Sequence, residues 1–259
     1  DRIHTELRFY DVAHRDAELS KRMPRVLAFD RGDHVAMLED LGEAADLTSL
    51  YAGDALEPGE LETLCDFARR LHALPLTDDE RAGLANRAMR ELNHAHLFAV
   101  PLDPGNGLDL DAITPGLADA ARELQHDDAF LARVTELGEL YLHATGPSLL
   151  HGDYYPGGFL RTAPGLCGID PEFACVGPVE LDLGVLVAHL VFAGEGPDVA
   201  ERVESLYAEK MDGALLRGFA GVELMRRLIG VAQLPLPEEV GVERKREWLA
   251  FARGWVVNA

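Results

Sequence analysis

The chain has 259 residues, 47% of them apolar, and a formal net charge of −21 at pH 7. That length admits one large domain or two small ones with a sizeable core, while so acidic a surface repels nucleic-acid backbones and anionic lipid. No apolar run reaches the roughly 18 residues of a membrane span, and no signal segment opens the chain. The three separated cysteines, Cys65, Cys167 and Cys175, form no disulfide framework or Cys-x-x-Cys site, which fits a reducing cytoplasm. An anionic ligand would need local compensation from magnesium, helix N-termini or a few placed arginines.

In chain order, residues 1–22 are charged, with Ile3, Leu7, Tyr10 and Leu19 at near-helical spacing, and Pro24 ends the run. Residues 25–29 and 34–38 read as short strands joined by the turn Asp30-Arg31-Gly32-Asp33, a hairpin that Glu39-Asp40-Leu41-Gly42 breaks. Pro58-Gly59 opens a helix through Leu61, Leu64, Phe67 and Leu71 to His72. Residues 77–93 read as a polar helix, 101–107 as a loop, and 115 to about Ala144 as one or two helices. The later strand candidates are residues 148–150, 159–161 and 166–169. After Pro178 come an apolar helix over 181–192 and further helices. The expected fold is α+β: a small hairpin piece joined near residues 39–42 to a larger, mainly helical body.

Two runs carry the chemistry: His151-Gly152-Asp153-Tyr154-Tyr155-Pro156-Gly157-Gly158, after the apolar Leu149-Leu150, and Gly168-Ile169-Asp170-Pro171-Glu172-Phe173. Asp153 follows a short strand and a His-Gly turn, where a carboxylate is held yet ionised, as a general base for a hydroxyl must be. Alone, it reads equally as an Asx-turn aspartate, and His151 reads as a buried brace for the loop. Asp170 and Glu172, two apart on a segment read as extended, would face one ion. Two carboxylates suffice for magnesium, which keeps waters and phosphate oxygens; without Asp153 the pair is an acidic turn capping a strand. Together the three carboxylates have the layout of a phosphoryl-transfer site. In Asn93-His94-Ala95-His96 a helix would splay the histidines, so no metal is expected there. Gly157-Gly158 reads as a tight turn, and Trp248 and Trp255 as helix packing or a dimer face.

With Ala174, Gly177-Pro178 and Asp182-Leu183-Gly184 added, these motifs resemble the aminoglycoside phosphotransferase and choline kinase superfamily, a branch of the protein-kinase-like fold. Within it the chain is most similar to methylthioribose kinases. His151 and Asp153 match a kinase catalytic loop. Gly158 stands where that loop carries a metal-binding Asn, and Asp170 with Glu172 replaces Asp-Phe-Gly, both as in methylthioribose kinases. The run Gly221-Val222-Glu223-Leu224-Met225-Arg226-Arg227-Leu228-Ile229-Gly230-Val231-Ala232 resembles the same family, whose adjacent arginines contact the sugar.

The resemblance implies a partial N-lobe at residues 1–41 (helix, hairpin, hinge) and a helical C-lobe at 42–259. It implies Asp153 as base and substrate contact, Asp170 and Glu172 as magnesium ligands, and Arg226 and Arg227 as substrate contacts; read singly, the arginines are an ion-pair element. Leu38, Glu39, Asp40 and Leu41 become the hinge that pairs with the adenine of ATP. Glu6 becomes the helix glutamate that partners a nucleotide-binding lysine, and that lysine and its Gly-rich loop would precede residue 1. The expected activity is ATP- and Mg2+-dependent phosphorylation of a hydroxyl on a sugar-like small molecule, methylthioribose first. Another pentose, an aminoglycoside, or a kinase-like binding module without turnover are the alternatives; the arginine pair argues against a cationic acceptor. The resemblance also extends to a homodimer.

Overall fold

The computed structural model describes residues 2–30, 32–143, 146–196, 198–237 and 239–259. Asp1, the turn residue Arg31 and the helix end at Ala144 lie outside the described residues. The chain opens with α1 (Arg2–Ala13), which buries Phe9, Tyr10, Val12 and Ala13, followed by a 3-10 turn at Leu19–Arg22. The expected hairpin forms from β1 (Val26–Asp30) and β2 (Val35–Leu38), paired antiparallel. Asp30 Oδ1 tightens its turn by accepting from the amides of Gly32 (2.7 Å) and Asp33 (3.0 Å). β3 (Ala45–Asp46) follows, too short to leave a pattern in sequence.

α2 (Glu60–His72) lies where its apolar spacing puts it. The single polar helix expected over residues 77–93 is instead two, α3 (Asp78–Gly83) and α4 (Arg87–His94). Asn86 breaks it by taking a left-handed backbone, φ 44°, a conformation Asn tolerates better than most residues. Its side-chain amide then donates to the carbonyls of Glu172 (3.0 Å) and Ala174 (2.9 Å), so the break tethers the acidic loop. α5 (Leu110–Ile113), α6 (Leu117–Gln125) and α7 (Asp128–His143) come next. His94 stacks on Phe98 with ring centroids 5.3 Å apart, as a packing residue.

β4 (Ser148–Leu150), β5 (Phe159–Thr162) and β6 (Gly165–Gly168) match the expected strands, and β7 (Cys175–Gly177) is an additional one. β5 and β6 form a hairpin extended by β3, while β4 and β7 pair antiparallel. All of α8 (Glu180–Phe192) is buried. A helix that is apolar all round belongs in the middle of a core, and each large side chain it buries contributes roughly 1.5–3 kcal/mol.

α9 (Val199–Tyr207) and α10 (Gly213–Ile229) pack on it, and α11 (Val242–Val257) packs on α10. Glycine permits the tightest crossings. A Cβ on Gly184 would lie 2.9 Å from the Leu216 carbonyl, and one on Gly221 2.7 Å from the Ala252 carbonyl. α10 is thereby clamped between α8 and α11, and it delivers Arg226 and Arg227 inward. Trp248 is buried edge-on against Phe192 (5.0 Å), an internal contact. Among the described residues, no helix is long and apolar enough to cross a membrane, and the three cysteines are free and buried.

Candidate active site

The two acidic runs are brought together by pairing. β4 leads into the Asp153 loop, and β7 leaves the Asp170–Glu172 loop. Their antiparallel register, with Leu150 opposite Cys175, sets the loops side by side. Gly152 makes the close approach. Its φ is +84°, and a Cβ there would sit 2.1 Å from the Phe173 carbonyl oxygen. His151 is buried, as a brace should be. Its Nε2 donates to the Ile169 carbonyl (2.9 Å), and its ring packs against Phe9, Tyr154 and Phe159. Asp182, at the start of α8, holds the turn from below by accepting from the amides of His151 (2.7 Å) and Gly152 (2.9 Å).

Asp153 meets both arginines. Its Oδ1 accepts from Arg226 Nη2 at 3.1 Å and Arg227 Nη2 at 3.3 Å, while its Oδ2 has no hydrogen-bond partner among the described residues. The side chain is 21% exposed, so this carboxylate is held by the arginines and still reached by solvent. Both arginines also donate through Nε to the fully buried Glu223, at 2.5 and 2.7 Å. Burial alone would push the Glu223 carboxyl up. The charges of Arg226 and Arg227 outweigh it and hold the group well below its ordinary value. Burial likewise works against the Arg227 charge, and Glu223 and Asp153 overcome it. The Arg227 guanidinium lies over the Tyr155 ring, 5.0 Å from its centroid.

Asp170 and Glu172 do not share an extended segment. Asp170 is exposed, with a left-handed backbone (φ 57°), and Glu172 lies in the turn that follows. The expectation of two side chains pointing one way along a strand therefore gives place to a bend. Glu172 is nonetheless pushed above the ordinary carboxylate range by burial and then by the charge of Asp170. Glu6, on α1, is raised by burial and then by Asp170 and Glu172. Arg2 pairs with Glu172 and offsets part of this negative charge.

The hinge residues make contacts of their own. Leu38 ends β2 and packs on the core. Glu39 is clasped by Arg25 (2.9 and 3.0 Å), and Asp40 Oδ1 accepts from the Gly42 amide (2.8 Å). Leu38, Glu39, Asp40 and Leu41 share no hydrogen bond or ion pair with the acidic loops among the described residues.

Sequence reasoning missed Glu223, His189, Tyr51 and Asn86. Glu223 left a signal: it stands three and four residues before the arginines, the spacing at which helix side chains pair. His189 and Tyr51 left none.

Residues 1–219 match the phosphotransferase enzyme family. A methylthioribose kinase of Exiguobacterium sibiricum is 30% identical over 187 residues, which cover 57% of this chain and 48% of that enzyme. One from Bacillus cereus is 27% identical over 178 residues, 56% of this chain and 45% of that one. The chain thus spans about half the length of the curated relatives it matches. A choline/ethanolamine kinase family protein from Mesorhizobium loti superposes with a TM-score of 0.51 at 17% identity, covering 100% of this chain and 84% of that one. An AMP-bound spectinomycin phosphotransferase superposes with a TM-score of 0.55 at 14% identity, covering 98% and 83%. At those identities the likeness is one of fold.

Proposed function

The chain belongs to the phosphotransferase enzyme family, and on that premise we propose that it is an ATP- and magnesium-dependent kinase acting on a hydroxyl of a sugar-like small molecule. Methylthioribose, the substrate named for the relatives from Exiguobacterium sibiricum and Bacillus cereus, is the first candidate acceptor. The observation that carries the reading is Asp153, with Oδ1 pinned by two arginines and Oδ2 left to accept a proton. The acceptor oxygen bonds to the γ-phosphorus of ATP as the bond from that phosphorus to the departing ADP oxygen breaks. The hydroxyl proton goes to Asp153, and the products are a phosphate ester and ADP.

Arg226 and Arg227 would position the acceptor through the rest of their donor forks. Two guanidinium groups set against the carboxylates of Asp153 and Glu223 leave the pocket nearly neutral, which suits an uncharged polyol. Asp170 and Glu172 would suit a magnesium ion by their chemistry, as carboxylates that feel each other's charge, which Arg2 only partly offsets. No cluster of three or more metal-binding side chains occurs among the described residues, so phosphate oxygens and water would complete the shell. The ion's part would be to neutralise the nucleotide phosphates. In this reading residues 1–41 belong to the N-lobe, with Leu38, Glu39, Asp40 and Leu41 as the adenine hinge and Glu6 as the helix glutamate that partners a nucleotide-binding lysine. Residues 42–259 form the C-lobe, and the three free thiols are in keeping with a reducing compartment.

The test is ADP release by the full-length protein with ATP, magnesium and a panel of acceptors. Methylthioribose should give the highest kcat/KM, ahead of ribose and an aminoglycoside. Nucleotide binding with no ADP release from any acceptor would replace the kinase by a binding module.

A further inference from the structure

A buried line of polar groups runs from Asp153 through the arginines to the far side of α8. Glu223, fully buried, accepts from Arg226 Nε (2.5 Å), Arg227 Nε (2.7 Å) and His189 Nε2 (2.9 Å). His189, also fully buried, meets the Tyr51 hydroxyl at Nδ1, 2.6 Å away. The hydrogen positions follow from the chemistry. An ionised carboxylate only accepts, so Nε2 carries the imidazole hydrogen, Nδ1 accepts, and Tyr51 donates.

The two guanidinium groups divide their donors in the same way. Each gives Nε to Glu223 and Nη2 to Asp153. A guanidinium is planar, so fixing Nε fixes the direction in which Nη2 points. Glu223 needs restraint of its own, because a buried carboxylate between two arginines could turn toward either; the hydrogen bond from His189 removes that freedom, and Tyr51 sets the imidazole.

We propose that Glu223, held by His189 and Tyr51, is a positioning residue that fixes how Arg226 and Arg227 bind the acceptor beside Asp153. The assignment rests on the kinase reading above. Glu223 stands one residue layer behind the acceptor, so its effect falls on acceptor binding and spares ATP.

The experiment compares wild type, Glu223→Gln and Tyr51→Phe by steady-state kinetics with ATP and methylthioribose. Glu223→Gln should raise the acceptor KM about tenfold or more and leave the ATP KM within about twofold. Tyr51→Phe, which deletes one hydroxyl, should move the acceptor KM the same way by about two- to fivefold, and it decides the matter if Glu223→Gln does not fold. An unchanged acceptor KM, or equal rises in both KM values, would overturn the proposal.

Arginine Nε–H resonances, assigned with Arg226→Lys and Arg227→Lys, give a readout independent of turnover. Both should be protected from solvent exchange in wild type, and at least one should lose that protection in Glu223→Gln, whose amide keeps a single acceptor oxygen. If the wild type turns over no acceptor, the kinase reading fails and these resonances alone decide the positioning. Unchanged protection in Glu223→Gln then overturns it.

Discussion

Asp153 and Glu223 hold the same two guanidinium groups from opposite sides: Asp153 Oδ1 takes Nη2 of Arg226 and Arg227 at 3.1 and 3.3 Å, and Glu223 takes the Nε of each at 2.5 and 2.7 Å. One carboxylate is partly exposed and the other fully buried, so the two together fix both guanidinium groups. The arrangement cancels the charge of the arginines, and in the proposed reading it makes them part of the acceptor site.

Replacing either arginine by lysine tests the fork. An ammonium is a point donor and cannot span both carboxylates as a guanidinium does. Arg226→Lys and Arg227→Lys should each raise the acceptor KM by about tenfold, with a smaller change in the ATP KM. Steady-state kinetics with each substrate varied in turn reads the difference.

Stability should report the buried half of the network. Glu223→Gln leaves two buried guanidinium groups with one counter-charge, and breaking a buried ionic network costs about 3 kcal/mol or more. Urea unfolding followed by circular dichroism measures the loss. A change under about 1 kcal/mol would mean that solvent reaches the arginines.

Two glycines of the Asp153 loop should respond oppositely. Gly152 has φ +84° and no room for a Cβ beside the Phe173 carbonyl, so Gly152→Ala should destabilise by about 3 kcal/mol or more. At Gly158 a Cβ would meet the Asp153 carbonyl and His151 Cε1 at 3.5 Å, an ordinary contact. Gly158→Ala should therefore stay within about 1 kcal/mol of wild type. Thermal unfolding of the two variants makes the comparison.

Acid should weaken the fold through His189. Burial first, offset in part by the hydrogen bond to Glu223, lowers its pKa from 6.5 to about 4. The unfolded chain thus takes the proton first, and stability falls as pH drops from about 6.5 to about 4; above that window the contribution is fully present. Asn cannot titrate, so Tm against pH should be flatter for His189→Asn than for wild type across this window. Parallel curves would contradict the assignment.

Local pattern made much of this legible. The hairpin showed in its turn, α2 and α8 in their apolar spacing, and the Asp153 motif in a strand-turn-acid order that β4 reproduces. What stayed hidden depends on distant contacts. Asn86 breaks a helix because carbonyls 86 and 88 residues away accept its amide. β7 is a strand because β4 is beside it, and Asp170 bends left-handed in the loop between β6 and β7. Tyr51 and His189, 138 residues apart, meet only once α8 is packed. The arginines were visible as an adjacent pair, but their contact with Asp153 was not.

The central claim is that Asp153 takes the acceptor proton. Asp153→Asn is nearly isosteric and should lower ADP release with methylthioribose by about 100-fold or more. The nucleotide Kd, measured by calorimetry on the same full-length protein, should remain within about twofold. Turnover undiminished in the folded, nucleotide-binding Asp153→Asn variant would contradict the account.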